Sequence, residues 1–237
     1  MAPLLEVDDV VAGYGDKTVL RGVSLAVPEG EVVSLVGRNG VGKTTTLQAI
    51  MGNVDISGGS VRLDGEDITD AAPEQIYRKG VGIVPENREV FPGLTVEENL
   101  RMGATTTDTG WFSIDEVYEL LHRLGERRNS EGRLLSGGEK QMLAIARTLM
   151  GDTDVLLLDE PTEGLAPQIV ENIIELINDL ADRGMTVLIV EQNIQAVTTI
   201  ADYHHVLASG TVVFEGSTTA LREANDVQAR HLGVTQL

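Results

Sequence analysis

The stretch GRNGVGKT, residues 37–44, has the residue types and the spacing of a phosphate-binding loop. It fits the pattern G-x-x-x-x-G-K-[ST], with an apolar strand-like run before it and a helical pattern after it. Glycines let backbone N–H groups curl around phosphate oxygens, and a helix start adds a favourable dipole. Lys43 is expected to reach the β- and γ-phosphates, and the Thr44 hydroxyl to hold Mg²⁺. The residues predicted to bind the phosphates are Gly37, Arg38, Asn39, Gly40, Val41, Gly42, Lys43, Thr44 and Thr45.

An acidic pair follows a second apolar run, VLLLDE, residues 155–160. Asp159 ends the predicted strand, where its carboxylate can bind the Mg²⁺ shell, and Glu160 can polarise the attacking water. Taken alone, an acidic pair of this kind is common at strand ends. Together with the phosphate loop, the pair predicts hydrolysis of a nucleotide.

Two adjacent glycines stand at the front of a helical pattern in LSGGEKQ, residues 135–141. Glycine loses more chain entropy than any other residue when it is ordered. Ser136 offers a hydroxyl, and Gly137 and Gly138 let backbone N–H groups approach a ligand closely. A helix that begins near Glu139 would point its positive end at an anion. The alternative is that glycine only caps the helix. That explanation accounts for one glycine better than for the whole sequence Ser-Gly-Gly-Glu.

Composition narrows the class of protein. The chain has 237 residues, of which 42% are apolar, and this predicts a packed globular protein. No apolar run approaches the roughly 18–20 residues that span a bilayer. The N-terminal MAPLLEVDDVV lacks a basic region followed by an apolar stretch, so no signal peptide is expected. There is no cysteine, and no metal-ligand spacing is seen for the histidines His122, His204, His205 and His231.

The net charge is −19, from 37 acidic and 18 basic residues. A broad basic face for nucleic acid is therefore not expected, because phosphate neutralisation needs clustered Lys and Arg. Lysine is rare, with only Lys17, Lys43, Lys79 and Lys140. An acid-rich, lysine-poor composition favours a protein adapted to concentrated salt, where screening removes self-repulsion. An ordinary acidic cytosolic protein is the alternative.

The pattern of elements predicts one α/β domain. Short strands and turns are expected over residues 4–36, a hairpin with an Asp-Gly turn over 58–69, and buried strands at 81–85, 155–160 and 186–192. An amphipathic helix, APQIVENIIELINDLADRG, crosses between the last two strands. Helical patterns dominate 93–150, which is interpreted as an insertion. The core and β subdomain then span about 1–92 and 151–216, with a tail at about 217–237.

The phosphate loop, LSGGE and LLLDEPT in this order resemble the ATP-binding-cassette (ABC) ATPases over nearly the whole chain, 1–237. The resemblance implies an α/β fold with a P-loop NTPase core. Its sheet is mixed and mainly parallel, and an antiparallel β subdomain and an inserted helical subdomain are added to it. It implies the cofactors ATP and Mg²⁺. In this family the signature loop caps the ATP of a partner chain, and this assigns Ser136, Gly137 and Gly138 to the partner's nucleotide.

Other residues follow from the same resemblance. Tyr14, in GYG, stands where the family places an aromatic ring against adenine, although an exposed loop tyrosine is the alternative. The loop after VGIVP normally carries a glutamine that contacts Mg²⁺, and here it has Glu86. The switch residue after LIVE is normally histidine, and here it is Gln192. With REVFPGLTVEENL and LLDEPTEGLAP, these departures resemble the smaller ATPase subunit of importers for branched-chain amino acids and related amides or urea.

The expected activity is ATP hydrolysis coupled to transport, with Glu160, Lys43 and Gln192 as catalytic residues and Thr44, Asp159 and Glu86 toward the metal. The expected partners are a second ATPase subunit, identical or related, and two polytopic permease subunits. An extracellular solute-binding protein is an indirect partner. The expected location is the cytoplasmic face of the membrane. The alternatives are an exporter of lipid or drug, or a soluble cassette protein acting on DNA or the ribosome. The excess of acidic over basic residues argues against a soluble cassette protein that acts on DNA or the ribosome.

Overall fold

The strands form two β-sheets in the part of the chain that the computed structural model describes, residues 3–104 and 111–233. The predicted core, helical insertion and tail also include residues 1–2, 105–110 and 234–237, and these lie outside the described residues. The strands are β1 (Pro3–Tyr14), β2 (Lys17–Pro28), β3 (Val32–Val36), β4 (Asp55–Leu63), β5 (Glu66–Asp67), β6 (Val81–Val84), β7 (Val155–Asp159), β8 (Thr186–Glu191), β9 (Tyr203–Ala208) and β10 (Thr211–Ser217).

The helices surround these sheets. They are α1 (Lys43–Ile50), α2 (Pro73–Arg78), α3 (Val96–Gly103), α4 (Ile114–Leu120), α5 (His122–Glu126), α6 (Gly137–Leu149), α7 (Pro167–Asp182), α8 (Ile194–Ile200), α9 (Thr218–Glu223) and α10 (Asn225–Val227). A short 3-10 helix, Gly132–Leu134, precedes α6, and a π-helical turn, Gln228–Leu232, follows α10.

The larger sheet has six strands in the order β10-β9-β3-β8-β7-β6. All its neighbouring strands pair in parallel except β9 and β10, which form an antiparallel hairpin near the end of the described residues. Strands β3, β7 and β8 are buried along their whole length, because helices and the second sheet cover both faces. The predicted mixed, mainly parallel sheet is confirmed.

The smaller sheet is antiparallel, with the order β2-β1-β4-β5. The first two strands have 12 residues each, so they are longer than the short strands predicted. Asp64 and Gly65 connect β4 to β5 with φ values of 48° and 75°. Positive φ at both residues is what a two-residue hairpin turn requires, so the Asp-Gly turn is confirmed.

The helices of the insertion begin at local capping signals. The side chains of Thr95, Ser113 and Ser136 accept from the backbone N–H three residues on, at the starts of α3, α4 and α6. The pattern IDEVYELLHRL is not one helix, because Leu121 has φ −120° and ψ 67° and separates α4 from α5. The helix α6 begins at Gly137, two residues before Glu139, so both glycines lie inside its first turn.

Two hydrophobic cores lie on opposite faces of the six-stranded sheet. In β3, Val33 and Leu35 join the core that includes the antiparallel sheet and α1, whereas Val32 and Val36 join the core of α6, α7 and α8. This alternation is the period of two that a strand imposes. The carboxyl ends of β3 and β7 lead into the phosphate loop and the acidic pair, so the sheet brings these two motifs to one edge.

Candidate functional site

The phosphate loop adopts a conformation that its glycines permit. Gly40 and Gly42 have φ values of 78° and 117°, which L side chains rarely adopt. Gly42 is the N-cap of α1 and supplies no side-chain cap, so the first N–H groups of this helix point toward the loop without a side-chain acceptor. This combination is suited to phosphate oxygens.

Lys43 and Glu160 form a buried ion pair, with Nζ 3.0 Å from Oε1. The same ammonium donates to the carbonyl oxygens of Gly37 and Arg38, at 2.9 and 3.1 Å. Glu160 has φ 45°, an uncommon conformation for a residue with a side chain. The structure therefore brings the predicted phosphate ligand and the predicted general base into direct contact.

Thr44 and Asp159 meet through a hydrogen bond, in which Thr44 Oγ1 donates to Asp159 Oδ1 at 3.1 Å. Burial raises the pKa of Asp159 to about 6, and the negative charges of Glu160 and Glu86 add to this effect. The Thr44 hydroxyl and the Asp159 carboxylate lie side by side, and burial and nearby negative charges destabilise the ionised carboxylate. Both groups are suitable ligands for Mg²⁺, which binds few protein oxygens and keeps phosphate oxygens and water as its other ligands. The residues present therefore fit the metal.

Glu86 follows β6 and is exposed, and its charge helps to raise the pKa of Asp159. Its charge also acts on Glu163, which sequence reasoning did not single out. A hydrogen bond to Glu160, together with burial and the nearby charges, raises the pKa of Glu163 to about 6. In the described part of the chain, no group of three His, Asp or Glu side chains is arranged to hold a metal by itself. The role predicted for Glu86 toward the metal stays a prediction.

Gln192 is exposed and lines a cleft of about 630 Å³ together with Glu160 and Glu163. Its backbone N–H donates to Glu191 Oε2 at 3.1 Å. The predicted switch residue and the predicted base thus face the same space.

Glu191 is a buried residue that the sequence analysis missed. Its Oε1 accepts from the backbone N–H and the hydroxyl of Thr162, at 2.9 and 2.7 Å, and its Oε2 accepts from the N–H groups of Gln192 and Asn193. Burial raises the pKa of Glu191, and these hydrogen bonds oppose the rise. The carboxylate ties the loop after β7 to the loop after β8. Its position at the end of an apolar strand is the feature of the sequence that could have identified Glu191.

The signature residues Ser136, Gly137 and Gly138 lie at the N-cap and in the first turn of α6. A Cβ on Gly138 would come within 2.7 Å of Ile169 Cγ2 in α7, so this glycine also has a packing reason inside its own chain. A Cβ on Gly137 would meet the flexible Arg88 guanidinium at 3.0 Å and Leu165 Cδ2 at 3.8 Å.

Tyr14 ends β1 with 53% of its surface exposed, a placement compatible with stacking on a flat ring.

Arg88 and Arg147 were also missed. Arg88 has φ 52°, and its guanidinium donates to the carbonyl oxygen of Glu163. Arg147, from α6, donates to the carbonyl oxygen of Glu89 at 2.7 Å and lies 5.0 Å from the Phe91 ring centre. Burial lowers the pKa of Arg147. The loop that contains Glu86 is therefore attached both to α6 and to the loop after β7.

These contacts place a phosphate loop at the carboxyl edge of a mainly parallel sheet, against an Asp-Glu pair from another strand of that sheet. This arrangement defines a P-loop nucleoside triphosphatase. A family model described as "ABC transporter" matches residues 20–163. The chain belongs to the ABC transporter family, and it is an ATPase of that family.

Relatives match the chain from end to end. It is 43% identical to the high-affinity branched-chain amino acid transport ATP-binding protein BraG of Pseudomonas aeruginosa, over 97% of this chain and 100% of that protein. It is 36% identical to the probable branched-chain amino acid transport ATP-binding protein LivF of Archaeoglobus fulgidus, over 94% of this chain and 96% of that protein.

Solved structures agree with the fold. The ADP conformation of MJ1267, an ATP-binding cassette of an ABC transporter, has a TM-score of 0.81 and 26% identity, and covers 97% of this chain and 98% of that chain. The dimeric structure of MJ0796, a bacterial ABC transporter cassette, has a TM-score of 0.78 and 27% identity, over 90% of this chain and 98% of that chain. ATPase subunits of this family work as dimers with membrane permease subunits.

Proposed function

We propose that the chain is the ATPase subunit of an importer for branched-chain amino acids or related small amides. The similarity to BraG carries this proposal, because it extends over nearly all of both chains. The E. coli lipopolysaccharide export protein LptB is also similar over 97% of both chains, but at 31% identity. The importer is therefore favoured over an exporter.

The ATP site uses the phosphate loop and the acidic pair. Lys43 leaves its contact with Glu160 and binds the β- and γ-phosphates, while the N–H groups of the loop hold the remaining oxygens. Thr44 and Asp159 would hold Mg²⁺, and Glu86, whose charge acts on Asp159, would face the metal as a further ligand. Bound Mg²⁺ supplies charge neutralisation at the phosphates. Tyr14, exposed at the end of β1, stacks on the adenine.

Hydrolysis depends on Glu160 and Gln192. Once Lys43 has turned to the phosphates, the Glu160 carboxylate is free to orient and deprotonate the attacking water. The Gln192 amide faces the same cleft and donates a hydrogen bond to the γ-phosphate or to that water. Glu191 holds the backbone on both sides of this cleft and thereby keeps the base and the amide at a fixed separation.

The signature loop serves a second cassette. Ser136 and the N–H groups at the start of α6 bind the γ-phosphate held by the partner, as the resemblance to the family's signature loop implies. The partner is a second copy or a related cassette.

A mixed dimer tests this trans arrangement. One chain carries Ser136→Arg and the other Lys43→Ala, and Ser136 is preferred to Gly138 because of the Ile169 contact. If the two defects fall in one composite site, the other site keeps its single-turnover hydrolysis. If each change damages only its own chain's nucleotide, both sites fail and the trans arrangement is wrong.

The permease subunits dock beside the loop that contains Glu86. Tyr77 of α2, Phe91 of the loop and Met102 of α3 are exposed apolar side chains. Arg147 links Phe91 to α3, because it lies against the Phe91 ring and contacts Gly103 at the end of that helix. Exposed apolar side chains on this loop and on the helices α2 and α3 are suited to contact a membrane partner.

The chain acts at the cytoplasmic face of the membrane as a peripheral subunit. None of the helices within residues 3–104 and 111–233 has the length and hydropathy to cross a bilayer. The permeases accordingly provide the membrane path, and a solute-binding protein delivers the solute from outside.

Reconstitution tests the proposed function. The chain is assembled in proteoliposomes with permeases, a solute-binding protein and either a second copy or a related cassette, and uptake of radiolabelled leucine is measured with ATP inside. We expect uptake that is lost in Lys43→Ala and competed by isoleucine and valine. ATP hydrolysis stimulated by a different solute would contradict the assigned substrate, and lipid-stimulated hydrolysis without uptake would favour export.

A further inference from the structure

A second cleft lies between the two sheets, and no residue of the phosphate loop lines it. It has a volume of about 370 Å³ and is lined by residues of β1, β2, β3, β9 and β10 and of the turn before β3. Small-molecule sites in proteins have volumes of about 300 to 1,000 Å³. The space is therefore large enough for a small ligand, and ATP hydrolysis makes no use of it.

His205 of β9 lines this cleft, although only 2% of its surface is exposed. Neither of its ring nitrogens has a hydrogen-bond partner within the described residues. The nearest charged oxygen is Glu215 Oε2 on β10, 3.8 Å from Nδ1, which is too long for a hydrogen bond. Its neighbour His204 differs, because it is bonded to both Ser34 and Thr218. His205 thus lines the cleft with a ring whose two nitrogens are buried and unpaired within the described residues.

Carboxylates surround the opening. Lys and Arg are missing from the residues found to line the cleft, whereas four carboxylates line it: Glu6, Asp8, Glu31 and Glu215. Arg62 lies 3.5 Å from Glu6 and partly neutralises that one. Burial lowers the pKa of His205 to about 4, so its imidazole is neutral at pH 7 and one nitrogen can accept a hydrogen bond. The cleft is therefore negative and contains a buried acceptor.

The rest of the lining is apolar or aromatic. Val7, Leu25 and Val33 form a buried floor. The Tyr203 ring meets the His205 ring edge to face, with 5.4 Å between the ring centres. An aromatic face beside carboxylates attracts cations, and an apolar floor accommodates an alkyl stem.

We propose that this cleft binds a small organic cation, an alkyl stem that ends in a guanidinium or ammonium group. The cationic head donates hydrogen bonds to His205 and Glu215, and the stem lies on Val7, Leu25 and Val33. The cation is either a free solute or an arginine or lysine side chain of a protein partner, since both present the same chemistry. The site is independent of the proposed import function.

Calorimetric titration with butylguanidinium tests the site, with butylurea as the uncharged isostere. The buffer contains 1 M KCl, where the Debye length is about 3 Å and the general attraction of an acidic surface is screened. We expect one saturable site for butylguanidinium and none for butylurea. Binding should weaken about tenfold or more in Glu215→Gln, because a charge-assisted hydrogen bond is lost.

Matched variants show whether binding depends on the residues of the cleft. Glu223→Gln removes the same charge on α9, outside the cleft, and should bind butylguanidinium as the unchanged chain does. His205→Phe keeps an aromatic ring in the apolar surroundings and removes both nitrogens, so it should also bind about tenfold more weakly. Glu215 is 64% exposed, so its replacement leaves the fold intact even if His205→Phe does not fold. The imidazole resonance that is missing from His205→Phe should shift on titration with butylguanidinium.

The source of the cation is distinguished by a third ligand, the blocked peptide acetyl-Gly-Arg-Gly-amide. Binding of the peptide as tightly as butylguanidinium supports a protein arginine, and binding of the free cation alone supports a solute. The proposal is overturned if no saturable binding is seen or if butylurea binds equally well. Equal losses in Glu215→Gln and Glu223→Gln would also overturn it.

Discussion

At the scale of single residues, we expect protonation of Asp159 to compete with binding of Mg²⁺. Its pKa of about 6 lies above the ordinary value of 3.8, chiefly because the carboxyl is buried. The carboxyl therefore gains its proton as the pH falls through about 6, and a protonated carboxyl is a poor metal ligand. We expect the affinity for Mg²⁺ with ATP to be constant above about pH 7 and to fall below about pH 6.

The measurement is titration of Mg²⁺ into the ATP-bound chain between about pH 5 and about pH 8. Asp159→Asn should bind Mg²⁺ weakly at every pH and should lose the pH dependence. Affinity for ATP in EDTA serves as the control, since it does not involve the metal. A pH profile that is the same in Asp159→Asn would assign the titration to another group.

Gln192 is the second residue-scale prediction. A neutral amide donates a hydrogen bond but cannot become a cation as histidine can, and charge-assisted bonds are roughly twice as strong. We expect slow but real hydrolysis, with no switch-histidine titration between about pH 6 and about pH 8. Gln192→Ala should lower turnover with little change in ATP affinity, and Gln192→His should keep or raise turnover.

Single-turnover hydrolysis in the assembled complex, with the partner site disabled, measures these effects. Because the backbone N–H of Gln192, not its side chain, binds Glu191, alanine leaves that connection in place. An unchanged rate in Gln192→Ala would show that its side chain takes no part in hydrolysis.

At the scale of elements, Arg88 joins the loop after β6 to the loop after β7 through Glu163. One hydrogen bond of this kind contributes about 1 kcal/mol, equivalent to a factor of about five in rate. We expect Arg88→Ala to lower turnover by about that factor in the assembled complex and to leave ATP affinity unchanged. Arg88→Lys should recover part of the loss, because lysine keeps the charge without the planar fork.

Arg62→Ala is the control, since it removes an exposed arginine from the antiparallel sheet. Hydrogen exchange at residues 163–165 provides a second readout, and it should quicken in Arg88→Ala only. Full turnover with faster exchange would mean that the connection is structural and does not contribute to hydrolysis.

At the scale of the whole molecule, the net charge of −19 is a source of self-repulsion. Many of its carboxylates lie at the surface, where salt screens them, while the two cores are apolar and respond little to screening. We expect the melting temperature to rise steeply with KCl up to molar concentrations, and the chain to unfold in dilute buffer and refold when KCl is restored.

Thermal melting followed by circular dichroism measures this effect. Sucrose at matched osmolality is the control, because it favours burial without screening charge. Equal stability at low and high KCl would contradict adaptation to salt and support an ordinary acidic protein.

Local signals in the sequence were enough for much of the fold. The phosphate loop, the buried strands and the Asp-Gly turn are each encoded by a few consecutive residues, so their types and spacing specify them directly. The prediction was wrong where a helical pattern in the sequence continues past the residue at which the helix ends. Residues 114–126 form two helices, because the backbone of Leu121 leaves the helical conformation in the middle of a helical pattern.

The sequence by itself determined the ATP-binding motifs, because each motif works through neighbouring residues. Only the tertiary structure decided which side chains meet across the chain. Thr44 meets Asp159 across 115 positions, Arg88 meets Glu163 across 75, and Glu191 meets Thr162 across 29. Local spacing carries no record of such pairs, since the sheet order and the loop conformations create them. The unpaired His205 has the same origin, because the packing of β9 against the antiparallel sheet, and no motif, buries it beside the carboxylates.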